Sequence, residues 1–264
     1  MTAAEPLVTF AQAGGVGRLT LNRPRTLNAW SLDFGRQLTS VLREQATDDS
    51  VRVLVITGAG RAFSSGIDLR GGFSVGADGT HDLREELGVH HGAILAVTAL
   101  DKPVIAAVNG PAYGIGCSLA LACDMILAAE SAVFGPSWTR FGLVPDGGST
   151  MTLATAIGAR QAFELMALTR ELSGAQAAAA GLANAVHADA DLLSAADAVA
   201  AQLAAGPPRA YAAVKLALRQ ATHREFEAQL ELEERLQIEL AQTHDFGEGV
   251  AAFREGRAPA FTGR

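Results

Sequence analysis

Strands alternating with helices over the first 145 residues predict an α/β protein with parallel strand pairing. Apolar, β-rich runs recur at VRVLVITG (51–58), PVIAAVNG (103–110) and CDMILAAE (123–130). Segments of helical length and periodicity separate them, and glycine-rich loops follow the strands. A helix joining two strands leads to parallel pairing by a right-handed crossover, which gathers the strand ends and their loops along one edge, where ligands usually bind.

Taken in order, alternation in VGRLTLNRP (16–24) predicts a strand. Ser31 is then placed to cap a helix whose Leu32, Phe34, Leu38, Val41 and Leu42 fall on one stripe. The buried strand 51–58 follows, then a helix over roughly 81–100, the strand 103–110, a helix from about Gly114 to Ala122, and the strand 123–130. After residue 145 helices dominate, interrupted by the short apolar stretch NAVHA (184–188); the Ala-rich tract 175–205 is helix-prone. GPP (206–208) is the clearest break, with proline at a helix start. We therefore divide the chain into a core over 1–205 and a helical region over 206–264, where YAAVKLALRQ and EFEAQLELEERLQIEL are amphipathic.

With 264 residues, 49% of them hydrophobic, the chain can bury a full core. A net charge of -7 argues against a nucleic-acid face, which needs clustered Lys and Arg. The N-terminus MTAAEPLVTF lacks a basic segment followed by an apolar one, and no apolar run is long enough for a bilayer, so a cytoplasmic protein is expected. Cys117 and Cys123 lie six apart, point in different directions on a helix, and read as small core residues.

The loop TGAGRAFSSGIDL (57–69) begins like a dinucleotide fingerprint, but its third glycine would fall at Phe63. A second loop, NGPAYGIGCSLALACD (109–124), bends after a buried strand into a helix, where free backbone N–H groups favour negative charge. Within it GCSLA is one residue short of a nucleophile elbow. A serine hydrolase at Ser118 would also need a histidine, and His187, His223 and His244 all sit in stretches that read as strand edge or polar helix.

RTLNA (25–29), RAFSSGIDL (61–69), NGPAYGIGCSLALACD and FGLVPDGGST (141–150), in this order and spacing, resemble the enoyl-CoA hydratase/isomerase, or crotonase, superfamily. The resemblance runs to the end of the chain, FREGRAPAFTGR (253–264). It implies a crotonase-like spiral of ββα units with a C-terminal helical region, assembly as a homotrimer or a dimer of trimers, and a coenzyme A thioester as substrate, with no permanently bound cofactor. The two backbone N–H donors that bind the thioester oxygen in this family match Ile67 and Ile115, the second following Gly114 at a helix start. Such donors suit the negative oxygen of an enolate. The resemblance also implies that the CoA portion lies along Arg25, Thr26, Leu27, Ala62, Phe63 and Ser65, near Asp68, with Arg257 and Phe261 contributing near the C-terminus. Ordinary packing or surface solvation is the alternative for each.

Hydratases of this family use two glutamates, whose positions match Ser118 and Trp138 here. Neither side chain is a base at neutral pH. Asp146 matches the single acid of the isomerase and dehalogenase branches, and GLVPDGG is closest to the isomerase form. Moving a double bond from C3–C4 to C2–C3 needs one base and no water, and Trp138, Phe141, Leu143 and Val144 predict a dry lining. Taken without the resemblance, Asp146 reads as the N-cap of a helix from about Gly147. In the polar stretch 71–92, Glu86 or His90 could assist; adjacent His90 and His91 face different sides of a helix, which argues against a metal site and for solvated surface. The expected activity is an acyl-CoA isomerase, the alternatives a hydratase with rearranged groups or an acyl-CoA-binding protein without catalysis.

Overall fold

The computed structural model describes residues 5–69 and 82–264. Val8–Ala13 (β1) and Val16–Leu21 (β2) form an antiparallel hairpin turning on Gly14 and Gly15, both at positive φ. Ser31 caps Leu32–Thr47 (α1), its hydroxyl accepting the Phe34 amide at 3.3 Å. Phe34, Leu38 and Leu42 of the expected stripe are fully buried, while Leu32 and Val41 are half-buried.

Val53–Gly58 (β3) follows, then Arg84–Thr98 (α2), Val104–Val108 (β4), Pro111–Tyr113 (β5) and Ile115–Leu121 (α3). Met125–Ala129 (β6) and Val133–Gly135 (β7) lead to Ser149–Ile157 (α4) and Ala159–Ala167 (α5). Leu172–Ser173 (β8), Gly174–Ala179 (α6), Ala185–His187 (β9) and Leu192–Ala205 (α7) complete the core. Helices Pro208–Thr222 (α8), Phe226–Leu240 (α9) and His244–Glu255 (α10) end the chain.

Two sheets result. The larger has the order β1-β2-β3-β4-β6-β9, parallel throughout except for the first hairpin. NAVHA is thus the edge strand of the main sheet. The smaller sheet, β5-β7-β8, is built of strands two or three residues long that the sequence reading does not contain. β4 and β5 before α3, and β6 and β7 before α4, each place one strand in either sheet, which is the ββα turn of the spiral.

The main core joins the inner strands to α1, α2, α3 and α7, with Leu19, Leu54, Ile56 and Ile94 wholly enclosed. Each such side chain contributes about 1.5–3 kcal/mol relative to exposure. Cys117 is buried and Cys123 half-buried; both are free. A second apolar cluster joins Trp138 and Leu143 to Leu83 and Leu87 around α2 and to Phe246 and Val250 of α10. Among the described residues no helix is long and apolar enough to cross a membrane.

Candidate active site

Two loops meet at the ends of β3 and β4. The chain from β3 to residue 69 is tied down by Asn28, whose side-chain nitrogen donates to the carbonyls of Ala59 (3.0 Å), Ala62 (2.8 Å) and Phe63 (3.2 Å). Leu27 and Asn28 both sit at φ 56, a conformation asparagine tolerates better than most side chains. The Ser64 amide donates to the Pro111 carbonyl (3.0 Å) and the Tyr113 amide to the Ser64 carbonyl (2.8 Å), so this loop runs beside β5. Glycine permits the approach: a Cβ on Gly116 would lie 2.5 Å from Ser64 Cβ, and one on Gly66 (φ 83) would lie 2.9 Å from the Tyr113 carbonyl oxygen. Ile67 and Ile115 follow Gly66 and Gly114 out of this contact. Among the described residues, neither Ile67 nor Ile115 donates its amide to an acceptor.

Both isoleucines line a cavity of about 950 Å³ whose wall also carries Asp146. Asp146 is 6% exposed. Its Oδ1 accepts the Trp138 indole N–H at 3.0 Å, and its Oδ2 lies 3.8 Å from His91 Nε2, an ion-pair distance rather than a hydrogen bond. Its backbone carbonyl accepts the Ser118 hydroxyl at 2.7 Å. Asp146 does not cap the following helix. Helix α4 starts at Ser149 after Gly148, and the amides of Gly148 (2.7 Å) and Thr150 (3.1 Å) go instead to the carboxylate of Glu233, a buried residue of α9. Burial pushes the Glu233 carboxyl up to about 7, helped by the charge of Asp146 and opposed by its hydrogen bonds from Thr150 and Gly148.

His90 and His91 are buried, 2% and 4% exposed, against the expectation of a solvated surface. Helix α2 is covered on one side by α1, which comes within contact at Gly35, and on the other by α3 and α9. His90 packs edge-on to Trp30 and lines the cavity. Burial chiefly, and the neighbouring His91 in part, lower its pKa to about 4 against the pull of Asp146. For His91, burial acts downward, but Asp146, Glu233 and Glu234 outweigh it and the net shift is upward. Its Nδ1 lies 3.9 Å from Glu234 Oε2.

The remaining expected residues divide. Ser65, Gly114, Arg257 and Phe261 line the cavity, and so does Glu86. Arg257 and Phe261 reach it from the same chain, because Glu248 holds Arg257 (2.9 Å) and the Ala260 amide (2.7 Å) while Asp245 holds the Thr262 and Gly263 amides. Ala62 and Phe63 are buried, so packing describes their side chains. Asp68 pairs with Arg23 at 2.9 Å, while Arg25 is exposed on a 3-10 turn with Thr26. Thr26 and Leu27 meet the loop through their carbonyls, which accept the Ser65 hydroxyl and amide. Arg25, Thr26, Leu27, Ala62, Phe63 and Asp68 are not among the residues bounding the cavity. Much of stretch 71–92 lies outside the described residues. Asn28, Glu233 and Glu234 are the side chains around the site that the sequence reading passed over, and His91, which it read as solvated surface, is buried beside Asp146.

The serine-hydrolase arrangement is absent, since the Ser118 hydroxyl is spent on a carbonyl of its own chain. Among the described residues no three His, Cys, Asp or Glu side chains gather into a metal site. What the cavity offers is a pair of amides with no acceptor among the described residues, the buried carboxylate of Asp146 and the half-buried one of Glu86.

The family described as enoyl-CoA hydratase/isomerase matches residues 11–264 of this chain. The protein belongs to the enoyl-CoA hydratase/isomerase family. A probable enoyl-CoA hydratase of Rhodobacter capsulatus is 42% identical over 257 residues, covering 97% of this chain and 98% of that protein. The 1,2-epoxyphenylacetyl-CoA isomerase of Escherichia coli is 37% identical over 251 residues, covering 95% and 96%. The crystal structure of an enoyl-CoA hydratase from Mycobacterium avium subsp. paratuberculosis superposes with a TM-score of 0.88 at 36% identity, covering 97% of this chain and 99% of that one. Enoyl-CoA hydratase/isomerase family members act on acyl-CoA thioesters, and the crotonase fold expected from the motifs is the fold found.

Proposed function

We propose that the protein isomerises an enoyl-CoA, moving the double bond from C3–C4 to C2–C3, with Asp146 as the single base. The observation that carries this reading is the buried carboxylate of Asp146 on the same cavity as two free amides, with no carboxylate at Ser118 or Trp138; Glu86, on the same wall, is only half-buried. The thioester oxygen accepts from the amides of Ile67 and Ile115. Asp146 takes a proton from C2, and the electron pair of that C–H bond delocalises through the dienolate onto the thioester oxygen, where the two N–H groups hold it. The proton then returns at C4 as the C2–C3 double bond forms. Atoms balance without water, oxidant or cofactor.

A second reading, hydration, is favoured by one observation: the relative at 42% identity carries the name probable enoyl-CoA hydratase. Incubation with 3-enoyl-CoA and 2-enoyl-CoA thioesters followed by chromatography and mass spectrometry separates the two. An isomer keeps its mass, and a hydration product gains one water. Asp146→Asn is expected to lower isomerisation by at least about 100-fold, as removal of a general base does. Full isomerase activity in that variant, or water addition as the main reaction of the unaltered protein, would refute the reading. Thioester binding without turnover of either substrate would instead mark a binding protein.

A further inference from the structure

We infer that His91 and Glu234 form a proton route between Asp146 and the solvent. The inference rests on Asp146 acting as the base of the proposed reaction.

The geometry is a chain of three side chains. Trp138 engages Oδ1 of Asp146 at 3.0 Å, which leaves Oδ2 toward His91. Nε2 of His91 is 3.8 Å from that oxygen, and Nδ1, on the opposite side of the ring, is 3.9 Å from Oε2 of Glu234. Side-chain exposure is low at Asp146 (8%) and His91 (6%) and reaches 37% at Glu234. One end is therefore the cavity wall and the other the protein surface. Each gap exceeds the upper limit of a proton-transfer distance, about 3.2 Å, by under roughly 1 Å, within reach of a small change in side-chain torsion. The buried Nε2 of His91 has no hydrogen-bond partner in this state.

The groups facing His91 are Asp146 from the loop before α4, Glu233 and Glu234 from α9, and His90 from its own helix. Glu233 is committed to the start of α4 by three hydrogen bonds, from the Gly148 and Thr150 amides and the Thr150 hydroxyl. Glu234 has no such duty. An imidazole passes a proton by accepting at one nitrogen and releasing at the other. A proton taken from C2 onto Asp146 thus moves from Oδ2 to Nε2 of His91 as the Nδ1 proton leaves for Glu234 and water. The reverse sequence recharges Asp146 with a solvent proton for delivery at C4. No bond order changes in the protein apart from the shift of the imidazole double bonds.

The consequence is isotopic. In deuterium oxide, product formed from a protiated 3-enoyl-CoA is expected to gain deuterium during turnover, and a saturated butanoyl-CoA to gain it at C2. Glu234→Gln and His91→Gln are each expected to cut deuterium incorporated per turnover by about 10-fold, and Glu234→Asp to restore it. A merely structural role would lower rate without changing that ratio, and Glu234, partly exposed, is a variant expected to fold. Isomerisation with the substrate protium fully retained in the unaltered protein would overturn the route while leaving Asp146 as base. Undiminished incorporation in both Gln variants would overturn it too. If 3-enoyl-CoA is not isomerised but butanoyl-CoA exchanges at C2, the isomerase reading fails and the same variants decide the route on that exchange. Absence of both reactions removes Asp146 as base and the route with it.

Discussion

The indole N–H of Trp138 meets Asp146 Oδ1 at 3.0 Å with both side chains buried, where a hydrogen bond to a charged group contributes about 1.5–3 kcal/mol. It fixes which carboxylate oxygen faces His91 and which way the acid presents itself to the cavity. Trp138→Phe keeps the ring in its apolar cluster and removes that donor. Its kcat for the isomerisation is expected to fall by about 10- to 100-fold with a KM changed by less than about 3-fold, measured by steady-state kinetics; an unchanged kcat would show that the bond does not orient the base. The sequence made Asp146 visible because a lone acid between a proline and two glycines stands out. It also suggested that Ser118 and Trp138 could not act as bases. It did not show that both support Asp146, one through the backbone carbonyl and the other through the carboxylate, because those contacts join residues 28 and 8 apart along the chain. Asn28 was illegible for the same reason: the carbonyls that its side-chain nitrogen holds lie 31–35 residues away.

The two loops that carry Ile67 and Ile115 depend on close backbone approach, so the donor pair belongs to the elements rather than to either side chain. Gly116→Ala would drive a methyl to within 2.5 Å of Ser64 Cβ and 2.9 Å of the Ser64 carbonyl, both on a strand-like segment that cannot swing aside. The variant is expected to remain folded, destabilised by about 1–3 kcal/mol, and to lose at least about 10-fold in kcat/KM as the two amides separate. Denaturant unfolding and kinetics on the same preparation check both halves. Long elements were readable from periodicity: the capped α1, the buried β3, β4 and β6, and the helices after residue 145. Strands β5, β7 and β8 were not, because two or three residues carry no period. Glu233 had a signal that went unread. It falls on the same stripe of α9 as buried Phe226, Leu230 and Gln237, and an acid on the inward face of a helix needs donors, here the start of α4.

Across the whole molecule, these buried titratable groups tie stability to pH, and their signs differ. His90 has a pKa of about 4 in the folded protein against an ordinary 6.5, so between those values the unfolded chain binds a proton that the folded one refuses. Its contribution is present above pH 6.5 and is lost as pH falls toward 4, on the order of 3 kcal/mol in total. Glu233, raised to about 7 from an ordinary 4.5, acts oppositely: its contribution is present below pH 4.5 and is lost as pH rises through 7. His91, raised above 6.5 by the surrounding carboxylates, likewise loses its contribution as pH climbs through its folded value. The protein is therefore expected to be most stable at mildly acidic pH, with Tm declining toward pH 4 and toward pH 9. His90→Leu, which cannot take up a proton in either state, should flatten the acid limb by roughly 5–10 °C while leaving the alkaline limb in place. His91→Gln should do the reverse, shallowing the alkaline decline because one of its two causes is gone. Scanning calorimetry of the three proteins from pH 4 to 9 separates these effects, since a histidine whose burial had no linkage to folding would leave the shape of the curve unaltered and only displace it.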